Sequence, residues 1–306
     1  MMTDILVLPH KIHGLSAAEY AETLRERFPE FDVAHAETPA EERRLITEAR
    51  VATGYEISTD LLAAAERLDL FVCTFAGTGH LPLEALDDHG VAVENASGVH
   101  GPNIAEQVLG CLLTFVRRLD RGWRQERRAE WRHYQAGELK GSTATVVGQG
   151  PIGETVVDRL QAFDVHTIGV RYTPSKGGPA DEVVGFDAEA LQAAFAETDH
   201  LVLACPLTDL TERLVDEQVF RTLPTDATLV NVARGEVVDT DALVDALRTN
   251  QIRGAALDVT DPEPLPPDSP LWSLGNCHVT PHNAGHTPEY WNRCADILGG
   301  ALDSVS

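Results

Sequence analysis

Thr143-Ala-Thr-Val-Val-Gly-Gln-Gly-Pro-Ile-Gly153 decides how this chain is read. Ala144 to Val147 is a short, valine-rich apolar run of the kind that forms a buried strand. Gly148, Gly150 and Gly153 follow at G-x-G-x-x-G spacing, with Pro151 and Ile152 between the last two. Val156, Val157, Leu160 and Phe163 then recur at helical spacing, and Val165 to Val170 reads as a second strand. Strand, glycine turn, helix and strand in this order form a unit whose turn holds a dinucleotide. The first glycine permits the sharp turn. The second lets backbone approach a pyrophosphate, and the third lets the helix pack closely on the strand. The helix N-terminus offers unpaired N–H groups and a positive dipole end. A glycine turn without a ligand is the alternative, and the flanking context argues against it.

Outward from this turn the chain alternates strand and helix patterns, which implies parallel sheets. Residues 1 to about 97 read as one small α/β unit. Its strands are Ile5–Leu8, Val33–His35, Val51–Thr53, Leu70–Phe75 and Val91–Val93. Its helices are Ser16–Phe28, Pro39–Glu48, Asp60–Arg67 (opened by Thr59) and Leu83–Asp88. Ser16 with Glu19 three residues on is a capping box. Asn95-Ala-Ser-Gly-Val-His-Gly-Pro-Asn103 is dense in turn formers and marks a domain crossing. A long helix from about Asn103 to Arg118 follows. The second unit runs to about residue 282, with strands at 200–204, 228–232, 252–259 and 278–280. Pro288 to Val305 is a helix too short to be a domain, so its place is back on the first unit. The fold class is therefore α/β, with two Rossmann-like or flavodoxin-like domains of parallel strands. One domain comprises residues 1–98 and 285–306, and the dinucleotide-binding domain, 99–284, is inserted into it.

The chain has 306 residues, 48 Asp and Glu against 24 Lys and Arg, and a formal net charge of −24. Nucleic acid and anionic membrane demand a basic face, so neither is expected as a partner. Only Lys11, Lys140 and Lys176 are lysines. An acidic chain nearly without lysine is expected of a halophilic microbe, where carboxylates hold water and salt screens their repulsion. No apolar run reaches the length of a membrane span, and Met1 to Pro9 reads as a first strand rather than a signal peptide. Cys73, Cys111, Cys205, Cys277 and Cys294 are scattered, as expected of reduced thiols in a cytoplasmic protein. Residues 117–132 hold seven arginines with Trp123 and Trp131. In so acidic a chain they read as an oligomer-contacting or domain-wrapping segment.

Ligands of open parallel sheets bind beyond the C-terminal strand ends. Arg234, Asp258, Glu263 and His282 each sit at such an end or in the loop after it. An imidazole titrates near neutral pH, so His282 suits proton donation to a reacting oxygen and abstraction in reverse. Glu263, if it reaches the ring's other nitrogen, would favour the imidazolium. Arg234 holds a carboxylate or carbonyl and stabilises charge developing on oxygen. A buried guanidinium without a partner would be costly, which also favours a functional Arg234. Asn231 reads as a brace for the turn. His100 and His286 lie near these motifs; His10, His13, His35, His80, His89, His133, His166 and His200 read as surface or packing residues.

The chain resembles the D-isomer-specific 2-hydroxyacid dehydrogenases over nearly its whole length. The matching motifs are Gly148-Gln-Gly-Pro-Ile-Gly153, Cys205-Pro-Leu-Thr208 with Thr211, Asn231-Val-Ala-Arg-Gly235, Ala256-Leu-Asp-Val259 with Glu263-Pro264, and Thr280-Pro-His-Asn-Ala-Gly285. They stand in family order and at family spacing. The resemblance implies reversible hydride transfer between a nicotinamide cofactor and a 2-oxo or D-2-hydroxy acid, with Arg234, Glu263 and His282 as catalytic residues. It implies that Gly148, Gly150, Pro151, Ile152 and Gly153 hold the cofactor. With them would stand Arg171, Tyr172, Thr173, Cys205, Pro206, Thr211, Val232, Ala233, Arg234, Asp258, His282 and Gly285, Asp258 taking the nicotinamide carboxamide. Ala76, Gly77 and Thr78, with Arg234 and His282, would receive the substrate. No metal site is expected, and the resemblance implies a homodimer joined through the cofactor domains. Closure on substrate, with hinges near 95–103 and 283–288, is expected of such a build.

The second strand of this βαβ unit usually runs into an acid that binds the ribose 2′-hydroxyl of NAD. Here Arg171 stands in that place, eighteen residues after Gly153. An arginine pairs with a 2′-phosphate, so NADP(H) is the expected cofactor, with NAD(H) possible. Thr173 and Ser175 would add hydroxyl donors. Where many family members carry an acid after the first unit's glycine loop, this chain reads Gly77-Thr-Gly-His80. Side-chain specificity is assigned to Tyr55, Phe75 and Trp272. A formate dehydrogenase would pair the histidine with glutamine. A phosphoglycerate dehydrogenase often has a further C-terminal domain, whereas this chain stops 24 residues after His282. A non-catalytic dinucleotide sensor on the same fold is the alternative of another class.

Overall fold

The computed structural model describes residues 3–12 and 14–305. His13 and the first two residues of the expected N-terminal strand segment lie outside it. The chain divides into two compact units, residues 1–100 with 286–306, and residues 101–285.

In the first unit five strands form one parallel sheet: β1 (Ile5–Val7), β4 (Val33–His35), β5 (Val51–Gly54), β6 (Leu70–Cys73) and β7 (Ala92–Asn95). A two-residue hairpin, β2 (Lys11–Ile12) with β3 (Leu15–Ser16), stands apart. The sheet order is β4-β1-β5-β6-β7, a doubly wound order that reverses between β1 and β5. Alternation along β1 divides the core: Ile5 and Val7 face one cluster, Leu6 the other. The first cluster includes Tyr20 and Leu24 of helix α1 (Ala17–Arg27) and Tyr290, Trp291 and Leu298 of the C-terminal helix Tyr290–Val305. Helix α1 starts where the capping box puts it: the Glu19 N–H donates to Ser16 Oγ, and the Ser16 N–H donates to Glu19 Oε2 at 2.7 Å. Helices α2 (Pro39–Ile46), α3 (Thr59–Leu62) and α4 (Leu83–Asp88) complete the unit.

Helix α3 is much shorter than the expected 60–67, and Ser58, not Thr59, caps it. After Leu62 the N–H groups of Ala64 and Ala65 reach back three residues rather than four, so the helix tightens and ends. The hairpin was missed because two-residue strands carry no periodicity.

The second unit opens with α5 (Gly101–Val116) and α6 (Leu119–Glu126). Helix α5 starts two residues before the expected Asn103. Gly101 is there for close approach: a Cβ on it would lie 2.7 Å from Thr155 Oγ1. Seven parallel strands follow: β8 (Thr143–Val147), β9 (His166–Val170), β10 (Glu182–Val184), β11 (His200–Leu203), β12 (Thr228–Asn231), β13 (Gly254–Leu257) and β14 (Cys277–Val279). Between them lie α7 (Pro151–Gln161), α8 (Ala188–Ala196), α9 (Glu217–Thr222) and α10 (Thr240–Arg248). The order β10-β9-β8-β11-β12-β13-β14 reverses between β8 and β11. Both faces are covered, one by the cluster around Leu201, Leu203 and Leu229, the other by that around Val146, Val202 and Val230. The edge strand β10, only three residues long, escaped the sequence pattern.

Candidate active site

The glycine turn sits at the order reversal of the second sheet. Gly148 follows β8 with φ +99, and a Cβ on it would meet the Ala204 carbonyl oxygen at 2.6 Å, at the end of β11. Gly153 is still tighter: a Cβ there would lie 1.8 Å from the Gly148 oxygen. These two glycines let turn, helix and neighbouring strand come together. Gly150 has no such neighbour within 4 Å. It is the N-cap of α7, and no side chain satisfies the helix end. A tight turn with an open, uncapped helix N-terminus above it fits an incoming pyrophosphate.

A pocket of about 380 Å³ lies over this turn. Gly148, Gly150, Arg171, Tyr172, Thr173, Cys205, Pro206 and Thr211 line it, all expected cofactor residues. Arg171 does not point to solvent; its side chain is 18% exposed. The guanidinium NH1 donates to the Gly177 carbonyl and lies 3.7 Å from Glu154 Oε1. Lys176 also lines the pocket. The sequence reading assigned it no role, although one of only three lysines, six residues beyond the end of β9, was a usable signal. Thr211 is a brace: its hydroxyl donates to the Pro206 carbonyl at 2.6 Å and accepts the Thr208 N–H at 2.8 Å. Burial pushes the Cys205 thiol up to about 11, so it lines the pocket as an uncharged group.

At the far end of the same sheet, β14 leads to His282. Its Nδ1 lies 2.7 Å from Glu263 Oε1, and Nε2 has no partner among the described residues. A carboxylate only accepts, so Nδ1 carries the proton and Nε2 faces outward as acid or base. Both side chains are about half exposed. A second pocket, of about 330 Å³, is lined by His282, Glu263, Asp258, Thr260 and Trp272.

Asp258 holds the loop that carries the histidine. It is 6% exposed. One oxygen accepts from Thr280 Oγ1 and from the Asn283 N–H at 2.9 Å, and the other accepts from the Ala284 N–H at 2.9 Å. Its backbone carbonyl accepts the His282 N–H at 2.7 Å. The turn this fixes puts His282 at φ +51, in the left-handed region where side chains are uncommon. The resemblance gave Asp258 a carboxamide to hold; three donors from residues 280–284 already meet its carboxylate.

Arg234 is exposed, and its guanidinium donates to the Ala233 carbonyl at 2.6 Å. The expectation built on a buried guanidinium is thus corrected: strand β12 ends at Asn231, and the turn carries the side chain outward. Asn231 braces that turn, its Nδ2 donating to the Arg234 carbonyl and its Oδ1 accepting the Ala233 N–H. Gly235 draws this turn against the glutamate loop, since a Cβ on it would lie 2.0 Å from the Thr260 carbonyl carbon. Val232 and Ala233 lie in the same turn, and Gly285 ends the unit.

Ala76, Gly77 and Thr78 lie in the first unit, after β6. Their N–H groups have no partner among the described residues. Asn95 Nδ2 pins the Ala76 carbonyl at 2.9 Å. Nearby, His100 stacks on Tyr290 with centroids 5.3 Å apart, a packing role within that unit. His10 too is packed: Nδ1 donates to the Leu8 carbonyl, and burial lowers its pKa. Among the described residues no group of His, Cys, Asp or Glu is arranged to hold a metal, and no helix is long and apolar enough to cross a membrane.

A doubly wound sheet with a glycine turn at its reversal, and an imidazole–carboxylate pair on the same sheet, fit an oxidoreductase that binds a dinucleotide. The chain belongs to the D-isomer specific 2-hydroxyacid dehydrogenase family: residues 109–284 match that family's NAD binding domain. It is 33% identical over 257 residues to the glyoxylate reductase of Thermofilum pendens, covering 82% of this chain and 75% of that one. It is 31% identical over 258 residues to the D-3-phosphoglycerate dehydrogenase of Methanocaldococcus jannaschii, covering 83% of this chain but 49% of that longer protein. Among solved structures it is similar to a D-isomer specific 2-hydroxyacid dehydrogenase from Xanthobacter autotrophicus in complex with NADPH and MES. The TM-score is 0.76 at 27% identity, over 99% of this chain and 96% of that one.

Proposed function

We propose that this protein reduces a 2-oxo acid to a D-2-hydroxy acid with NADPH, and runs the reverse reaction when product and oxidised cofactor prevail. The observation that carries the proposal is the contact between His282 Nδ1 and Glu263. It leaves Nε2 as the group that gives a proton to the ketone oxygen, or takes one from the alcohol. A nicotinamide bound over the glycine turn would supply or accept the hydride at the substrate carbon. Glu263 fixes the ring's tautomer and orientation through the contact on Nδ1. Arg234, exposed and fixed at its base by Asn231, holds the substrate and stabilises charge on the reacting oxygen. The N–H groups of Ala76, Gly77 and Thr78, without partners among the described residues, are suited to receive a carboxylate.

Arg171 and Lys176 in the turn pocket support NADPH over NADH, since two cations suit a ribose 2′-phosphate. The net charge of −24 supports a protein of a salt-rich cell, and the five free cysteines support a reducing compartment such as the cytoplasm. On the arginine-rich stretch, Leu119, Trp123 and Trp131 are exposed, the last at 93%, which supports a homodimer contact. A melting temperature equal in low and molar KCl would remove the halophilic part, and a monomer by light scattering the dimeric part.

A panel of 2-oxo acids assayed with NADPH and with NADH tests the function. Turnover to the D-hydroxy acid is expected. Tight NADPH binding without turnover of any 2-oxo acid would instead make this a dinucleotide sensor.

A further inference from the structure

Seven arginines stand in residues 117–132 of a chain whose net charge is −24. Three of them, Arg118, Arg121 and Arg124, converge with Arg253 on one pocket of about 180 Å³ in the second unit. Arg253 immediately precedes β13, and Asn276, also in the lining, precedes β14. The pocket therefore lies at the N-terminal ends of these strands. Asp258 and His282 follow their opposite ends.

Phe115, 5% exposed, is the pocket's floor. It comes so close because of Gly254, where a Cβ would lie 2.6 Å from both the Phe115 ring and the Asn276 carbonyl oxygen. Arg118 makes the bend between α5 and α6, at φ +51, where glycine or asparagine sits at less cost. Its N–H donates to the Phe115 carbonyl at 3.2 Å. Two of the four cations are tied. Arg124 donates to Asp120 at 2.6 Å and to the Gly275 carbonyl at 3.0 Å, and Arg253 lies 3.1 Å from Asp226. The other two are not: among the described residues neither Arg118 nor Arg121 forms an ion pair. The Arg121 guanidinium stands over the Tyr134 ring, 5.1 Å from its centroid, which positions the charge without cancelling it. Beside the floor, the His278 ring tilts against Phe115 at 5.0 Å, and its buried Nε2 has no partner among the described residues.

We propose that this pocket binds a doubly charged oxyanion of the phosphate class, at a site separate from the glycine turn and from His282. Four guanidiniums and the two carboxylates that pair with them leave two positive charges uncancelled. A guanidinium's forked donors match the oxygens of a phosphoryl group. The volume is below the about 300–1,000 Å³ of pockets that enclose whole organic ligands, so it suits an ion or one phosphoryl group. The carboxylates that dominate the chain repel anions elsewhere, which leaves this corner as a place for one to settle. Leu119 and Trp123, the exposed apolar residues, are four apart and share one face of α6. Arg121 is two residues from each, so it faces away from them. A bound dianion ties the α5–α6 bend to the starts of β13 and β14.

Calorimetric titration with inorganic phosphate, at an ionic strength held constant with KCl, tests it. We expect saturable binding that Arg118→Gln and Arg121→Gln each weaken about 10-fold or more, the usual loss of a hydrogen bond to a charged group. Phosphate at about 100 times its Kd should raise the melting temperature of the wild type by about 5 °C or more, and that of the double variant by less. Arg171→Gln, which changes the turn pocket's cation, should leave this difference in place, and the double variant should bind NADPH as the wild type does. Glycerol 3-phosphate distinguishes the sources: binding equal to or tighter than that of phosphate assigns the pocket to the phosphoryl group of a larger molecule, and weaker binding assigns it to the free ion. A phosphate effect no greater than that of chloride, or one unmoved in the double variant, overturns the site. Variants that lose a dimer by light scattering while phosphate binding stays the same overturn it too, and give these arginines to carboxylates of a second copy.

Discussion

Nδ1 of His282 and Oε1 of Glu263 lie 2.7 Å apart, although nineteen residues separate them in the chain. The pair fixes which ring nitrogen is left for chemistry. His282→Ala should lower kcat about 10²- to 10⁴-fold, the usual contribution of a positioned acid or base, while NADPH still binds. Glu263→Gln should cost less, about 10-fold, because an amide still accepts the Nδ1 proton but no longer carries charge. Rates from stopped-flow NADPH oxidation and affinities from fluorescence titration check both. Wild-type turnover in His282→Ala would remove this residue from proton transfer.

Asp258 acts on the same histidine from below, by holding the loop at Thr280, Asn283 and Ala284. In Asp258→Asn the amide's NH2 meets a backbone N–H, and a buried donor loses its acceptor. The cost should be about 1–3 kcal/mol in urea unfolding. Turnover should fall as well, because His282 depends on this loop for its φ of +51. Unchanged stability would mean that the loop holds itself.

Arg171 lines the turn pocket with Lys176, and Glu154 stands 3.7 Å from its guanidinium. Arg171→Asp should reverse the preference from NADPH to NADH. Glu154→Gln should tighten NADPH a few-fold, since it removes a carboxylate that competes with the 2′-phosphate for the same cation. The ratio of kcat/KM for the two cofactors decides. A wild-type enzyme that prefers NADH refutes the assignment.

His200 is 4% exposed, with Nδ1 2.8 Å from Thr228 Oγ1, and burial lowers its pKa from 6.5 to about 4. Between pH 6.5 and 4 the unfolded chain therefore binds a proton that the folded chain refuses. Its contribution to stability is intact above pH 6.5 and is lost as pH falls to about 4, in total about 3 kcal/mol. In His200→Asn the fall in stability over that window should be shallower than in the wild type. Parallel pH dependences from urea melts would exclude this histidine as a source of acid sensitivity.

Local sequence wrote most of the scaffold. The G-x-G-x-x-G turn was legible because glycines are the only residues that fit where a Cβ would lie 1.8 Å from a carbonyl oxygen, as at Gly153. The capping box at Ser16 and the β-rich runs were legible for the same reason, since each is decided within a few residues. Helix α3 and strand β10 were not, because their ends depend on neighbours that come from elsewhere in the chain.

The sequence alone also named the residues proposed to carry chemistry, His282, Glu263, Arg234 and Arg171, from their types and their places after strands. Only the tertiary structure decided how they are held. It gave His282 a partner on Nδ1 and left Nε2 without one among the described residues. It spent the carboxylate of Asp258 on the loop beneath, and it turned Arg234 outward where burial had been expected. It brought Lys176 to the pocket of Arg171 and gathered Arg118, Arg121 and Arg253 at another. The physical reason is one of range. Glycine sterics and apolar periodicity act between near neighbours and survive in one dimension. A hydrogen bond's direction or a ring's exposure depends on atoms that only folding brings together.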